Sequence, residues 1–202
     1  IGQHAASVPS IAVQLAGRIF GDLSGRAALI LGAGEMAELT AEYLQSAGCS
    51  PLLFCNRSLA RAKDLAKRFG GEAYSLDALE ATLPRADVLL CSTGAQNYVL
   101  GPDVAARALH ARGNQPQLYI DIAVPRTLDP AIAALENAYH YDLDDLNGLA
   151  EEHREKRLEA SHAAEVILRH RLRDLKEWLA AARVVPTVTR LSAHFEAVRE
   201  AE

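Results

Sequence analysis

A glycine-containing run, AALILGAGEMA at residues 27–37, has the composition and spacing that could bind phosphate groups. Small and aliphatic residues lead into Gly32, Gly34 and Ala37, the G-x-G-x-x-A spacing of a dinucleotide-binding turn between a buried strand and a helix. Gly32 would allow the tight turn, Gly34 would let backbone approach a pyrophosphate, and Ala37 would let the helix pack closely. The first helical turn would offer free N–H groups to the phosphates. The predicted cofactor-binding residues here are Gly32, Ala33, Gly34, Glu35, Met36 and Ala37. Such a turn can also be purely structural, so the flanking sequence matters.

The turn after the second predicted strand indicates which dinucleotide fits. NAD-binding domains carry a carboxylate about 20 positions beyond the fingerprint, where it holds the ribose 2′-OH. This chain instead has Asn56-Arg57-Ser58. A guanidinium can hold a 2′-phosphate through paired, charge-assisted hydrogen bonds, so we predict NADPH as the cofactor. The alternative is that Asn56 and Ser58 only cap the next helix and Arg57 is a solvated charge. Arg61 and Lys63 follow within the next turns and could add positive potential, but ordinary surface charges are the commoner case.

A third turn, Ser92-Thr93-Gly94, follows the strand predicted at 87–91. Loops at the carboxyl ends of parallel strands line the cofactor crevice, and Gly94 would allow the nicotinamide ribose to approach. A plain glycine turn is an equally good alternative. Cys91 is the candidate nucleophile at this strand end, but a buried, inert thiol is commoner. The three cysteines and seven histidines have no metal-ligand spacing, so we predict no metal site. We also assign no catalytic residue to this chain.

Alternating strands and helices are expected to position these turns. Strands are predicted at 27–31, 51–55, 72–74, 87–91, 117–122 and 138–141, and helices at 7–23, 35–47, 58–69, 76–83 and 101–112. Ser7 or Ser10 would cap the first helix. This order predicts an α/β fold, a Rossmann-like doubly wound parallel sheet with right-handed crossovers. We assign residues 1–145 to this NADP-binding domain.

The sequence changes character after Asp142. Residues 146–183 contain no proline, and two rows of positions spaced seven apart form a heptad-like seam. The rows are Leu158, Glu165, Leu172 and Leu179, and Ser161, Leu168, Leu175 and Ala182. We predict a long spinal helix, on the order of 50 Å, whose apolar row needs a partner. Pro186 would end it, and a second amphipathic helix would start near Val188. Residues 146–202 are thus predicted to be this helix and the truncated start of a helical dimerisation segment.

Composition limits the class of protein. The chain has 202 residues, half of them hydrophobic, which suits one medium domain with an appendage. The net charge of −5 argues against nucleic-acid binding by this chain alone. No apolar run approaches the length of a membrane span, so we expect no membrane contact. The odd number of cysteines favours a reducing, cytoplasmic compartment. The first residue is not Met, which fits a fragment excised from a longer protein.

Several stretches together resemble bacterial glutamyl-tRNA reductase. The matching stretches are Ser7-Val8, Leu31–Met36, Asn56–Ser58, Ser92–Gly94, Tyr119–Arg126 (YIDIAVPR), Asp129-Pro130, Tyr141–Leu146 (YDLDDL) and Val185-Pro186. The first two turns alone are shared with shikimate dehydrogenase-like enzymes, whereas IDIAVPR followed by YDLDDL and a long helix is far more specific. The resemblance covers essentially the whole chain. Ala37 and Ser58 stand where glycine and threonine are commoner in the family.

The resemblance implies an oxidoreductase of porphyrin and tetrapyrrole biosynthesis. Such enzymes reduce glutamyl-tRNA with NADPH to glutamate-1-semialdehyde, through a thioester on a cysteine of an N-terminal catalytic domain. That domain, and with it most tRNA contacts, is expected to be absent here, so the fragment alone should be inactive. The resemblance also implies a homodimer through the C-terminal helices. It adds Asp121 and Ile122 to the cofactor-binding residues, with Pro125 and Arg126 near the nicotinamide. The alternative is that Asp121, Pro125 and Arg126 form only a strand end and a proline turn.

Two other functions stay open from the sequence. A self-contained dehydrogenase of the shikimate type would need substrate groups within this chain, and no Lys/Asp pair stands beside a plausible substrate site. A non-catalytic helical interaction module on a degenerate Rossmann scaffold would use mainly the seam along residues 158–182.

Overall fold

A computed structural model describes residues 7–151, 164–165, 167–176, 178–179, 193, 196 and 199. The chain divides into two compact units, Ile1–Glu151 and Glu152–Glu202. In the first unit, strands and helices alternate as the sequence predicts. The strands are β1 (Ala28–Leu31), β2 (Leu52–Asn56), β3 (Glu72–Ser75), β4 (Val88–Cys91), β5 (Gln117–Asp121) and β6 (Ala138–Asp142). The helices are α1 (Val8–Phe20), α2 (Glu35–Ser46), α3 (Leu59–Phe69), α4 (Leu79–Thr82), α5 (Pro102–Ala111) and α6 (143–151).

The six strands form one parallel sheet in the order β3-β2-β1-β4-β5-β6. This is the strand order of the doubly wound dinucleotide-binding fold, so the predicted Rossmann-like class is confirmed. The register aligns the strand ends, since Leu31 pairs with both Cys55 and Cys91. The turns that follow β1, β2 and β4 therefore meet at one edge of the sheet.

Two apolar layers bury the sheet from both sides. Helices α1, α2 and α3 cover one face, where Ile30, Phe54 and Leu90 are fully buried. Helix α5 and the short helical turns cover the other, above Leu29 and Tyr119. Burial on both faces explains why β1 reads as a continuous aliphatic run rather than an alternating one.

Charged side chains close the amino-terminal edge of the sheet. The Asp87 carboxylate accepts hydrogen bonds from the Ala27 N–H (3.0 Å), Arg26 (3.4 Å) and Arg112 (2.7 Å). Arg112 has only 6 % of its side chain exposed, so this ion pair is largely removed from solvent. The network ties the start of β1 to the start of β4, far from the turns at the other edge.

Local signals set several element ends as predicted. The Ser7 hydroxyl accepts a hydrogen bond from the Ser10 N–H and caps α1. Gly70 ends α3 in the left-handed conformation, as glycines after helices often do. The helix predicted at 76–83 is instead a four-residue α4 between two 3₁₀ turns, Leu76–Ala78 and Leu83–Arg85, because Pro84 interrupts the segment.

The second unit is described only in part. Residues 164–165, 167–176 and 178–179 are helical, as predicted for the spinal helix. Its apolar side chains are exposed: Ile167, Leu168, Leu172, Leu175, Trp178 and Leu179. The predicted seam positions Leu158, Ser161 and Ala182 and the break at Pro186 lie outside the described residues. Of the second helix predicted from near Val188, residues 193, 196 and 199 are described, and they are helical. Within the described part of the chain, no helix is both long and apolar enough to cross a membrane.

Candidate functional site

The turn after β1 has two glycines with different structural roles. Gly32 has a φ of +124°, and a Cβ there would lie 2.7 Å from the carbonyl oxygen of Ser92. Only glycine fits this close contact between the turns of β1 and β4. Gly34 has a φ of −101°, and no atom lies within 4 Å of where its Cβ would be. The protein itself does not require glycine at position 34, so the space above its backbone is available to a ligand.

The first turn of α2 presents its N–H groups beside that space. Gly34 is the N-cap, and it supplies no side-chain hydrogen bond to the helix. Glu35 and Met36 are exposed, whereas Ala37 is fully buried against the sheet. The small side chain of Ala37 therefore allows close packing, and the uncapped N–H groups can donate hydrogen bonds to phosphate oxygens.

A cavity of about 360 Å³ joins the turns after β2 and β4. It is lined by Asn56, Arg57, Ser58, Arg61, Thr93, Gly94 and Ala95. This lining contains two guanidinium groups and no carboxylate. Among the residues that the structure describes, neither Arg57 nor Arg61 has an acidic partner. The positive charge is therefore free to meet an anionic ligand.

The Asn56-Arg57-Ser58 turn is held by its own hydrogen bond. The Asn56 side-chain amide donates to the Ser58 carbonyl at 3.2 Å. Ser58 is the N-cap of α3, but its hydroxyl makes no capping hydrogen bond. The alternative that these residues only cap α3 thus explains part of the role of Asn56. It does not explain the Ser58 hydroxyl, which makes no capping hydrogen bond, or the Arg57 guanidinium.

Arg61 lines this cavity, although sequence analysis favoured an ordinary surface charge at that position. It lies in the first turn of α3, and it lines the same cavity as Arg57, which precedes the helix. Its place directly after the turn that follows β2 was the available signal. It was outweighed by the commonness of surface arginines on an amphipathic helix.

The turn after β4 contributes Ser92, Thr93 and Gly94. The Ser92 hydroxyl is buried and, among the described residues, has no hydrogen-bond partner. Gly94 resembles Gly34, since nothing lies within 4 Å of its missing Cβ. These three residues and the first turn thus form adjacent walls of one crevice.

The three cysteines are buried in surroundings that keep their thiols unreactive. The Cys91 sulfur lies 2.9 Å from the Thr127 hydroxyl and is fully buried. Burial raises the pKa of the Cys91 thiol to about 12. Burial likewise raises the pKa of Cys49 and of Cys55 to about 11. Since the thiolate is the nucleophile, none of the three is set up for attack at neutral pH.

Asp121 organises the loop after β5. One carboxylate oxygen accepts from the N–H groups of Thr127 (2.6 Å) and Leu128 (2.7 Å). The other accepts from the Ala123 N–H (3.0 Å) and the Thr127 hydroxyl (3.2 Å). Asp121 is 1 % exposed and the neighbouring Ile122 is 9 % exposed. This geometry favours a positioning role for Asp121, and direct cofactor contact by either residue stays a prediction.

Arg126 lies at the exposed side of that loop between two further cavities. One, of about 330 Å³, is lined by Gln96, Asn97, Tyr98, Pro125 and Arg126. The other, of about 270 Å³, is lined by Ala123, Val124, Pro125, Arg126, Leu143 and Asp144. The Arg126 guanidinium forms ion pairs with Asp142 (2.9 Å) and Asp144 (3.1 Å). The described residues include no group of His, Cys, Asp and Glu side chains that could hold a metal ion.

Two family models match the chain. The model for shikimate / quinate 5-dehydrogenase matches residues 14–149, and the model for the glutamyl-tRNAGlu reductase dimerisation domain matches residues 163–202. The first therefore covers the unit that contains the crevice.

Curated relatives carry both segments in one protein. A glutamyl-tRNA reductase of Magnetococcus marinus is 44% identical over 200 residues, which are 99% of this chain and 48% of the relative. That of Bacillus subtilis is 43% identical over 191 residues, 95% of this chain and 42% of the relative. The chain thus spans about half the length of the curated relatives it matches.

Solved structures share the fold. Glutamyl-tRNA reductase from Methanopyrus kandleri superposes with a TM-score of 0.75 at 35% identity, covering 88% of this chain and 45% of that one. The nucleotide-binding domain of a glutamyl-tRNA reductase from Thermoplasma volcanium gives a TM-score of 0.59 at 17% identity, covering 76% and 97%. The latter likeness concerns the fold alone.

Proposed function

Because this chain belongs to the glutamyl-tRNA reductase family, we propose that it is the NADPH-binding part of an enzyme that reduces glutamyl-tRNA to glutamate-1-semialdehyde for tetrapyrrole biosynthesis. The full-length relatives favour this interpretation over a shikimate dehydrogenase-like enzyme. The matched dimerisation model also points away from a self-contained dehydrogenase.

The observation that carries the cofactor assignment is the pair of guanidinium groups on the cavity beside the β1 turn. Arg57 and Arg61 have no carboxylate partner in the described part of the chain, and their cavity lacks acidic residues. A 2′-phosphate placed there would gain charge-assisted hydrogen bonds, whereas the 2′-OH of NADH would not. Gly34 and Gly94 leave room for the pyrophosphate and a ribose.

We assign the steps of the reaction to different parts of the protein. NADPH supplies the hydride when it is bound, and this chain orients it. The nucleophilic thiolate would come from a part of the relatives' sequence that this chain does not include, because its own three cysteines are buried with raised pKa values. The same part would make most contacts to glutamyl-tRNA. This chain alone is therefore expected to bind NADPH without turning over substrate.

The remaining assignments concern assembly and location. We propose a homodimer, supported by the dimerisation-domain match over 163–202 and by the exposed leucines of the second unit. We also place the protein in the cytoplasm, where a reducing environment suits three free cysteines. The split at residues 145 and 146 between the NADP-binding and helical segments stays a proposal.

A titration with both reduced coenzymes tests the proposal. We expect the chain to bind NADPH more tightly than NADH, as followed by nicotinamide fluorescence. Arg57→Ala should cost NADPH binding about 1.5–3 kcal/mol, the range for a hydrogen bond to a charged group, and leave NADH binding nearly unchanged. Arg61→Ala should have the same selectivity with a smaller effect. Lys63→Ala is the matched control, because Lys63 is exposed on α3 and does not line the cavity.

Two results would count against this function. Equal affinities for NADPH and NADH would remove the argument from Arg57. Absence of any dinucleotide binding, with self-association intact by sedimentation, would instead favour the non-catalytic interaction module.

A further inference from the structure

The Arg126 side chain connects the loop after β5 to the start of α6. Its Nη2 atom lies 2.9 Å from an Asp142 carboxylate oxygen and 3.1 Å from one of Asp144. We call these three side chains the Arg126 bridge. About half of the arginine is exposed, at 48 %, while Asp142 is 12 % exposed. The bridge is thus anchored on one buried and one solvent-facing carboxylate.

Asp142 also caps α6. Its Oδ1 accepts from the N–H groups of Asp144 (2.9 Å) and Asp145 (3.1 Å), while an Asp145 carboxylate oxygen accepts from the Asp142 N–H (2.9 Å). This is a reciprocal capping arrangement. The Oδ2 atom of the same carboxylate holds Arg126. One side chain therefore fixes both the helix start and the loop.

The charge state of Asp142 suits this double role. Burial acts to raise the pKa of Asp142, but the Asp145 N–H and the Arg126 guanidinium outweigh it and lower that pKa overall. The carboxylate is therefore ionised throughout the neutral range. His140, on the same strand, is half-buried and has burial as the main cause of its lowered pKa. It is neutral near pH 7 and does not compete with Arg126 for Asp142.

The bridge lies next to the crevice. The loop after β4 contributes residues 93–95 to the cavity of about 360 Å³ that Arg57 lines. It contributes residues 96–98 to the cavity of about 330 Å³ that Arg126 lines. In this fold the phosphate-binding turn and the β2 end hold the adenosine half of a dinucleotide, so the other half lies over β4 and β5. A bound dinucleotide would therefore reach Tyr98 and Pro125, which line the cavity of about 330 Å³ beside Arg126.

We propose that Arg126 is a positioning residue that couples occupancy of the crevice to the helix leading out of the nucleotide-binding unit. This inference rests on the proposed NADPH-binding function. A ligand packed against Tyr98 and Pro125 restricts the loop, which keeps the guanidinium on Asp142 and Asp144 and strengthens the cap of α6. By linkage, an intact bridge strengthens ligand binding by the same factor. Helix α6 is the last element of the first unit, so the coupling acts on the carboxyl-terminal end of that unit.

Hydrogen exchange on the whole 202-residue chain tests the coupling. With saturating NADPH, the amides of residues 143–151 should exchange roughly two- to fivefold more slowly, the scale of one exposed ion pair. In Arg126→Gln this slowing should disappear, and NADPH affinity should fall by about the same factor. Asp144→Asn should give an intermediate effect, since it removes only the solvent-facing partner. Arg107→Gln is the control, because it breaks an exposed Arg–Glu pair with Glu80 on another face.

Each outcome is decisive. The proposal is overturned if the wild-type chain binds NADPH without a change at 143–151, or if Arg126→Gln keeps the full slowing. Nicotinamide fluorescence, recorded first, separates these results from failure of the proposed function, in which no NADPH binds at all. Thermal melting of each variant checks that it is folded.

Discussion

The two glycines of the β1 turn allow the fold and the ligand site to be perturbed separately. Gly32→Ala places a methyl group 2.7 Å from the Ser92 carbonyl oxygen at a φ of +124°. Overpacking and backbone strain each cost about 1–3 kcal/mol, so we expect a loss of roughly 3 kcal/mol in the free energy of unfolding. For a unit of about 150 residues this lowers Tm by about 6–12 °C.

Gly34→Ala should behave in the opposite way. Its φ of −101° suits any residue, and its Cβ would meet no protein atom within 4 Å. We expect a stability change within about 0.5 kcal/mol. The methyl group would occupy the space that the pyrophosphate must approach. NADPH affinity should therefore fall, by a steric cost of about 1–3 kcal/mol or roughly 5- to 150-fold.

Calorimetry and a fluorescence titration measure the two effects side by side. Gly17→Ala is the control, because Gly17 lies inside α1 with no atom within 4 Å of its Cβ position. The free energy of unfolding of that variant should rise by about 0.5–1 kcal/mol, and it should bind NADPH with the affinity of the parent chain. The reasoning fails if Gly34→Ala melts as early as Gly32→Ala, or if it binds NADPH with the parent affinity.

Three further predictions follow from buried polar groups. Asp121→Asn should lower the free energy of unfolding, measured by urea denaturation, by about 3 kcal/mol, because an amide cannot accept all four hydrogen bonds. Thr127→Val should lower it by about 1 kcal/mol, and equal losses in the two variants would contradict this reasoning. The three thiols should react with a disulfide reagent only after unfolding, because burial raises the pKa of Cys91 to about 12 and those of the other two to about 11; fast labelling of the folded chain would oppose it. Burial lowers the pKa of His140 below 6.5, so the unfolded chain binds the proton more readily. The contribution of neutral His140 to stability is present above pH 6.5 and is lost as the pH falls from 6.5 toward the folded-state pKa. A plot of Tm against pH should therefore be flatter below pH 6.5 in His140→Gln than in the parent chain.

The sequence predicted the fold well because the strongest signals were local and repeated. Aliphatic runs such as 27–31 can be satisfied only by a strand covered on both faces, and each one here is followed by a turn and a helix. One element was missed and one helix start was misplaced, although the signals for both were present. Asp129 before Pro130 caps the 3₁₀ turn Pro130–Ala134. Asp142 and Asp145 form the reciprocal cap that starts α6 at 143 rather than 146.

The site was less predictable because its residues meet through the sheet register. Nothing in the sequence places Arg61 beside Thr93, yet parallel pairing of β1 with β2 and β4 brings both onto one cavity. The role of Asp121 was equally hidden, since its hydrogen-bond donors lie two to seven residues away in a loop whose path is set by tertiary packing. The family resemblance suggested a ligand contact for Asp121, whereas its burial and hydrogen bonds indicate support of the loop.

The Asp87 network has a practical consequence for engineering this protein. Its ion pairs lie where β1 and β4 begin, whereas every residue assigned to the coenzyme lies where strands end. These ion pairs are thus placed a full strand length away from the residues assigned to the coenzyme. Substitutions around Arg26 and Arg112 should tune thermal tolerance without altering coenzyme choice, so a more robust version of the chain can be sought at that edge alone.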